Sequence, residues 1–402
     1  MVGEAGRKGE GVRSDCFARI ELKDSGGIEL NVKSKVEAMY GDKIRELLYR
    51  ELEFFEIKNC LLYLEDTGAL DFVISARVEC ALKRANPEIK KEFLLYMPER
   101  FFKKSEKERI RRSRLYLPGN EPKFFLNAAL HEPDGIILDL EDAVSPQEKD
   151  SARILIRNAL RSVDFKDCEK MVRINQGPLG ILDLESVVPH NVNVVLIPKV
   201  ETGEHVRAVD AKIQEIRKEK GIKEPVYLMP IIESALGCLE ASYIASSSPN
   251  ICALTIGLED YTADIGAERT NEGKESFWAR SVIVNAARAA SIQPIDSVFS
   301  DVGDKEGLLN SCLESKGMGF EGKGCIHPRQ ISVINQAFSP SQKEIEKAKR
   351  IVLAYEEAQR NGLSVVSVGT KMVDPPIVKR ALKTISFAEN IGLLNKEWRS
   401  EN

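Results

Sequence analysis

Acidic side chains follow one short apolar run after another through the second half of this sequence. Glu233 comes just after Pro230-Ile231-Ile232, and Asp260 closes Gly257-Leu258-Glu259-Asp260 behind the run Ala253-Leu254-Thr255-Ile256. Asp139-Leu140-Glu141-Asp142, Arg173-Ile174-Asn175 and Lys199 stand in the same relation to three earlier runs. Two carboxylates brought to one point repel, and one of them holds its proton unless a cation neutralises the pair. Magnesium suits such a pair, because it takes one or two protein carboxylates and leaves positions for substrate oxygens and water. The plainer use of any one acid is to cap a helix or to pair with a base, but capping does not call for acids after successive runs. Arg173 is the complementary group. Its planar fork fits a carboxylate or enolate oxygen, or else forms an ordinary ion pair with a neighbouring acid.

Other chemistries have little to build on. Histidine is confined to His131, His190, His205 and His327, too few for a histidine-centred hydrolase or a zinc site. His327, in Ile326-His327-Pro328, either orients a loop or phosphate or is structural. No Walker-type loop or dinucleotide fingerprint occurs. The eight cysteines are scattered from Cys16 to Cys325 without a CxxC pair, which reads as reduced, buried thiols in a cytoplasmic protein. A net charge of -4 with no long block of either sign argues against nucleic acid and membrane as partners. Apolar runs such as Val194-Val195-Leu196-Ile197 fall far short of the ~20 residues of a membrane span.

The elements that must position these groups show in the same pattern. Strand-like stretches at 114–117, 135–139, 171–174, 194–198, 226–230, 253–256, 294–298 and 322–326 alternate with helical ones. This predicts an α/β fold, a (β/α)₈ TIM barrel whose C-terminal strand ends face the mouth, with a doubly wound sheet as the competing topology. Upstream, Cys16–Leu22 and Ile28–Val32 alternate around Gly26-Gly27 and predict a hairpin. Helical spacing at Ile44, Leu47, Leu48, Leu52 and Phe55, a strand at Cys60–Leu64, and a stripe at Val73, Ile74, Arg77, Val78, Ala81 and Leu82 complete a small α+β unit. The expected organisation is this unit at 1–88, a basic, solvated linker at 89–110, the barrel at 111–340 and a C-terminal helical lid at 341–402. The lid holds an amphipathic helix from Ser341 to Arg360, then Gly369-Thr370-Lys371-Met372-Val373-Asp374-Pro375-Pro376 and a last helix.

Seven stretches in order, Arg111-Arg112-Ser113-Arg114-Leu115-Tyr116-Leu117-Pro118-Gly119-Asn120, Leu138-Asp139-Leu140-Glu141-Asp142-Ala143-Val144, Val172-Arg173-Ile174-Asn175, Ile232-Glu233-Ser234-Ala235-Leu236-Gly237, Gly257-Leu258-Glu259-Asp260-Tyr261, Gly322-Lys323-Gly324-Cys325-Ile326-His327-Pro328 and Met372-Val373-Asp374, carry a resemblance. From Arg111 on, the chain resembles the citrate lyase beta-subunit family, which includes malyl-, citramalyl- and related acyl-CoA lyases. The N-terminal unit resembles the citrate lyase acyl carrier protein, the gamma subunit. It does so through Ser14-Asp15, Arg19-Ile20, Tyr40-Gly41-Asp42-Lys43-Ile44, Asp66-Thr67-Gly68-Ala69-Leu70-Asp71 and Ala76-Arg77-Val78-Glu79.

The resemblance implies magnesium-dependent cleavage of a citryl thioester to oxaloacetate and an acetyl thioester. Glu233 and Asp260 would hold the metal, and Arg173 and Glu233 would meet the substrate. Ser14 would carry a phosphoribosyl-dephospho-CoA arm. The family shows a Glu-Ser pair and one further small residue before Asp, whereas Arg13 precedes Ser14 here and that residue is absent, so an unmodified turn serine is the alternative. Asp374 would move a proton, reaching across from a neighbouring protomer, or serve as a helix N-cap. A separate alpha (transferase) subunit and a homo-oligomer, trimer or hexamer, would be the partners. Two readings compete: a malyl- or citramalyl-CoA lyase on free acyl-CoA, and a non-catalytic scaffold subunit.

Overall fold

The structure is a computed structural model that describes residues 1–360, 366–368 and 371–401. In the N-terminal unit four strands form one sheet: β1 (Val2–Gly6), β2 (Cys16–Leu22), β3 (Ile28–Ser34) and β4 (Cys60–Asp66), in the order β1-β2-β4-β3. The expected hairpin of β2 with β3 does not form. β4 lies between them, antiparallel to β2 and parallel to β3. Its alternation explains the choice, since Cys60, Leu62, Leu64 and Asp66 are all buried while β3 has no buried residue. The strand with the fuller apolar face takes the centre, and β3 becomes an edge from which the chain crosses to β4 through α1 (Glu37–Phe54). β1 was not foreseen, because a five-residue strand with two glycines carries little pattern.

α2 (Asp71–Ala85) is buried on nearly every side. On one side it crosses β1 so closely that a Cβ on Gly3 would come 2.1 Å from the Ala81 carbonyl oxygen. On the other it packs on α3 (Lys149–Ser162), a helix of the next unit. The stripe that placed Arg77 among apolar residues therefore marks a helix between two bodies.

Eight parallel strands close a barrel in chain order: β5 (Ser113–Pro118), β6 (Gly135–Asp139), β7 (Glu169–Arg173), β8 (Val194–Ile197), β9 (Tyr227–Ile232), β10 (Ala253–Ile256), β11 (Gln293–Asp296) and β12 (Gly322–Cys325). β12 pairs with β5 through Lys323↔Ser113, Gly324↔Arg114 and Cys325↔Leu115 and completes the ring. Ile137, Met171, Leu196, Met229, Ile231 and Ile295 form a buried core cluster. Such a barrel is a packed core with its openings at the strand ends.

Residues 86–112 are irregular apart from the turn Glu99–Phe101, but they do not run free in solvent. Phe93 is buried, and barrel side chains hold the backbone: Arg161 donates to the Leu95 carbonyl at 2.7 Å, Lys170 to Phe101 at 2.9 Å and Asn193 to Lys103 at 2.8 Å. The basic composition pointed to a solvated tether. Satisfied carbonyls and a buried ring make it a strap.

Residues Val333–Asn402 form a second compact unit. Helices Gln342–Arg360 and Pro375–Asn390 pack through Ile351, Val352, Val378, Ala381 and Ile385, around a fully buried Trp398. A short antiparallel pair joins Val366–Val368 to Lys371–Val373. Gly369 and Thr370 of the sequence motif lie outside the described residues. Among the described residues no helix is long and apolar enough to cross a membrane.

Candidate active site

At the C-terminal ends of the strands, register alone brings the first charges together. Asp139 ends β6 and Arg173 ends β7, and the two are paired residues of the ladder. The guanidinium meets the carboxylate two-fold, Nε to Oδ1 and Nη2 to Oδ2, both at 2.7 Å. Nη1 then faces Glu141 at 3.0 Å and Asp142 at 3.2 Å. The group also lies over the Tyr116 ring, 5.4 Å from its centre. Burial works against this charge, but Asp139 more than offsets it and holds Arg173 above the ordinary arginine value. Of the two uses open to Arg173 in the sequence, the ion pair is thus present. Each of the three nitrogens of the fork faces an acid.

Glu233 follows β9 and is buried, with 5 % of its surface exposed. Its Oε2 accepts the Lys199 amide at 2.8 Å, from a lysine whose φ of 50° places it in the left-handed region. Its Oε1 lies where a Cβ on Gly257 would come to 2.5 Å, so this position has to be glycine for the carboxylate to fit. Burial pushes Glu233 up to about 8, the Lys199 amide opposes that, and the Glu141 and Asp260 charges add to it.

Asp260 lies on the short helix Leu258–Asp264 after β10 and is half exposed. The Lys199 ammonium links the acids: it is 3.0 Å from Glu141, 3.3 Å from Asp142 and 3.9 Å from Asp260. One residue thus touches Glu233 through its amide and Asp260 through its side chain. Arg173, Glu233 and Asp260, with Asp139, Tyr116 and Arg114, line one cavity of about 440 Å³. Among the described residues no group of three or more His, Cys, Asp or Glu side chains is arranged to hold one metal ion. A pair of carboxylates with open positions beside it is what remains.

The other expected site residues stand elsewhere. Ser14 is half-buried on the loop between β1 and β2, with φ 54°, and its amide donates to the Thr67 carbonyl at 3.3 Å. The next residue, Asp15, is buried against Arg77, which also donates to Ser151 at 2.6 Å and to the Asn120 carbonyl at 3.3 Å, both of the barrel. Asp374 opens the helix Pro375–Asn390, and its carboxylate accepts the Ile377 amide at 3.1 Å, a helix N-cap. His327 accepts the Arg329 amide at 3.1 Å through Nδ1, a turn contact of the structural kind. The sequence places Lys199 after a strand but does not show it as a bridge, and it does not show Arg114 as a cavity wall. A charge on an inward position of a parallel barrel strand was the available signal for Arg114.

The family model described as HpcH/HpaI aldolase/citrate lyase matches residues 112–328, and one described as malonate decarboxylase delta subunit matches residues 9–85. The chain is 42% identical over 285 residues to citrate lyase subunit beta of Haemophilus influenzae, covering 70% of this chain and 98% of that protein. It is 33% identical over 293 residues to the mitochondrial citramalyl-CoA lyase of Homo sapiens, covering 70% of this chain and 86% of that one. Among solved structures, it is similar to protein CitE of Mycobacterium tuberculosis in complex with magnesium, acetoacetate and coenzyme A. That likeness has a TM-score of 0.58 at 28% identity and covers 69% of this chain and 98% of the other.

Proposed function

Because the chain belongs to the HpcH/HpaI aldolase/citrate lyase family and joins its barrel to a carrier-type unit, we propose that it cleaves a citryl thioester into oxaloacetate and an acetyl thioester. The observation that carries this reading is the convergence of Arg173, Glu233 and Asp260 on one cavity. Convergence of this kind argues against the scaffold alternative, which needs none of these groups.

The donor set fits magnesium. Around the mouth the acids Asp139, Glu141, Asp142, Glu233 and Asp260 stand beside the bases Arg173 and Lys199. All donors are oxygens, and Glu233 and Asp260, which both line the cavity, are the pair proposed to hold the ion. When bound there, magnesium supplies Lewis-acid polarisation of a substrate hydroxyl or carbonyl oxygen.

The rest is done by side chains. Arg173, held in place by Asp139, orients a substrate carboxylate, so that part of the positioning is done before binding. Cleavage moves the hydroxyl proton to a base, breaks the carbon–carbon bond, and leaves an acetyl thioester enolate that takes up a proton at carbon. Asp374 is proposed to move one of these protons. Ser14 is proposed to carry the phosphoribosyl-dephospho-CoA arm on which the acyl group rides, with a separate alpha transferase subunit loading it and a homo-oligomer as the working assembly. Eight unpaired, buried thiols suit a reducing, cytoplasmic setting.

Turnover of citryl-CoA with and without magnesium tests the whole reading; no cleavage in either condition would end it. The citramalyl-CoA relative supports a second reading, a lyase on free acyl-CoA. Intact-mass measurement of native protein separates the two, since only the carrier reading expects a heavy adduct on Ser14. For Asp374, the Asn variant keeps the helix cap and removes the acid. Its single-turnover rate is expected to fall about 10²- to 10⁴-fold, the range of general acid–base catalysis. An unchanged rate leaves Asp374 the cap alone.

A further inference from the structure

The cavity extends below the mouth to a charge that the proposed reaction leaves unused. Arg114 lies on β5 two residues before Tyr116, so both side chains point to the same face of the strand, and both line the cavity. Arg114 is 1% exposed. Its Nη1 has only the Met229 Sδ at 2.9 Å, a weak acceptor, and its Nε has no hydrogen-bond partner. Among the described residues no carboxylate forms an ion pair with it, and Tyr116 and Cys325 are the anion-forming groups nearest in effect.

Three other buried bases of the barrel are matched, Lys323 and Arg280 with Asp296 at 2.7 and 3.0 Å and Arg111 with Glu169 at 2.7 Å, while Lys170 donates to the Phe101 carbonyl. A buried guanidinium without a counter-charge is costly, and the cost is relieved when an anion arrives beside it. Space for one exists in the cavity of about 440 Å³, which Arg114 and its ladder partner Gly324 both line. Arg173 and Arg114 are the basic residues on the described cavity wall, and Arg173 already holds three acids.

We infer that Arg114 binds a second carboxylate on the keto-acid half of the substrate, so that the cavity selects a dicarboxylic over a monocarboxylic 2-oxoacid fragment. This rests on the lyase reading and narrows it. A citryl thioester releases oxaloacetate, with two carboxylates, whereas a citramalyl thioester releases pyruvate, with one. Arg173 with the carboxylate pair serves the carboxylate next to the reacting oxygen. The remaining one of oxaloacetate needs a cation deeper in the cavity, and Arg114 is placed to supply it.

Calorimetric titration of the full-length, magnesium-loaded protein with oxaloacetate and with pyruvate tests this. The wild type is expected to prefer oxaloacetate. Arg114→Met, which keeps bulk in an apolar setting, is expected to weaken oxaloacetate about 10- to 100-fold and pyruvate less than about 2-fold, the scale of one charged hydrogen-bonded contact. Arg114→Lys keeps the charge without the fork and should recover part of the loss. It also serves if the Met variant does not fold, and thermal melts of both check for that. Equal weakening of both acids, or none for oxaloacetate, overturns the inference and makes Arg114 a packing residue. Equal wild-type affinity for the two acids overturns it while leaving a lyase of the citramalyl kind. A wild type that binds neither overturns the lyase reading itself.

Discussion

The barrel mouth and the seam between α2 and α3 are built from the same materials, arginine and carboxylate, and behave as opposites. At the seam the charges are matched and dry. Arg157 and Glu79 are both fully buried and meet at 2.8 Å, Arg157 also fills its fork with Asn158 at 2.8 Å, and Arg77 grips Asp15 two-fold at 2.9 Å. At the mouth the acids outnumber the bases, Asp142 and Asp260 are about half exposed, and the central carboxyl of Glu233 is pushed up to about 8 by its burial. Residue type does not separate a joint from a binding site. Stoichiometry and access do: a balanced, closed cluster holds two bodies together, and an unbalanced, open one waits for a cation and an anion.

Two substitutions can break that comparison. Glu233→Gln should lower kcat/KM with citryl thioester on the order of 10³-fold, the loss of a metal-holding and charge-stabilising group, while the thermal midpoint stays level or rises because a buried acid is gone. Arg157→Ala should do the reverse. It takes the buried guanidinium from Glu79 and leaves it Lys83, at a cost of up to about 3–5 kcal/mol, and activity per folded molecule should not change. Urea unfolding and steady-state kinetics on both variants give the answer. If Glu233→Gln unfolds the protein, or Arg157→Ala spares stability, the two clusters are not of different kinds.

How far the sequence could be read follows the range of the forces involved. The eight barrel strands were legible because each is a local apolar run with its own helix, and chain order then dictates the parallel ring. The N-terminal sheet was not, since β2 and β3 alternate well enough to pair, and only competition with β4 separates them. Arg173, Glu233 and Asp260 were legible because each ends or follows a strand, a position with a fixed meaning in this architecture. Lys199 was not recognised as a bridge, because a left-handed turn rather than strand pattern aims its amide at Glu233. Arg77 was visible in an apolar helical stripe, yet its partners Asp15 and Ser151 lie 62 and 74 residues away. That separation hides the joint from any local pattern.

The smallest expected effect sharpens the comparison most, through Glu51 on α1. Like Glu233 it is a buried carboxyl, but it lies in the core of the N-terminal unit, and neither of its oxygens has a hydrogen-bond partner among the described residues. Burial holds it well above the ordinary carboxylate range, the Glu79 charge adds to that, and Arg157 opposes it. The folded protein therefore keeps the proton on Glu51 at pH values where the unfolded chain, with its carboxyl near about 4.3, has lost it. The stability from this group is complete below that value and is lost as pH rises toward the folded-state one, by up to about 1.4 kcal/mol per pH unit. Glu51→Gln should flatten the decline between pH 5 and 7 and raise stability at pH 7, read from urea midpoints at three pH values. A decline equally steep in the variant would mean that Glu51 is ionised in the fold. Glu233 can shed its penalty when a cation arrives, whereas Glu51 has no access to one, so magnesium should leave the Glu51 slope as it is.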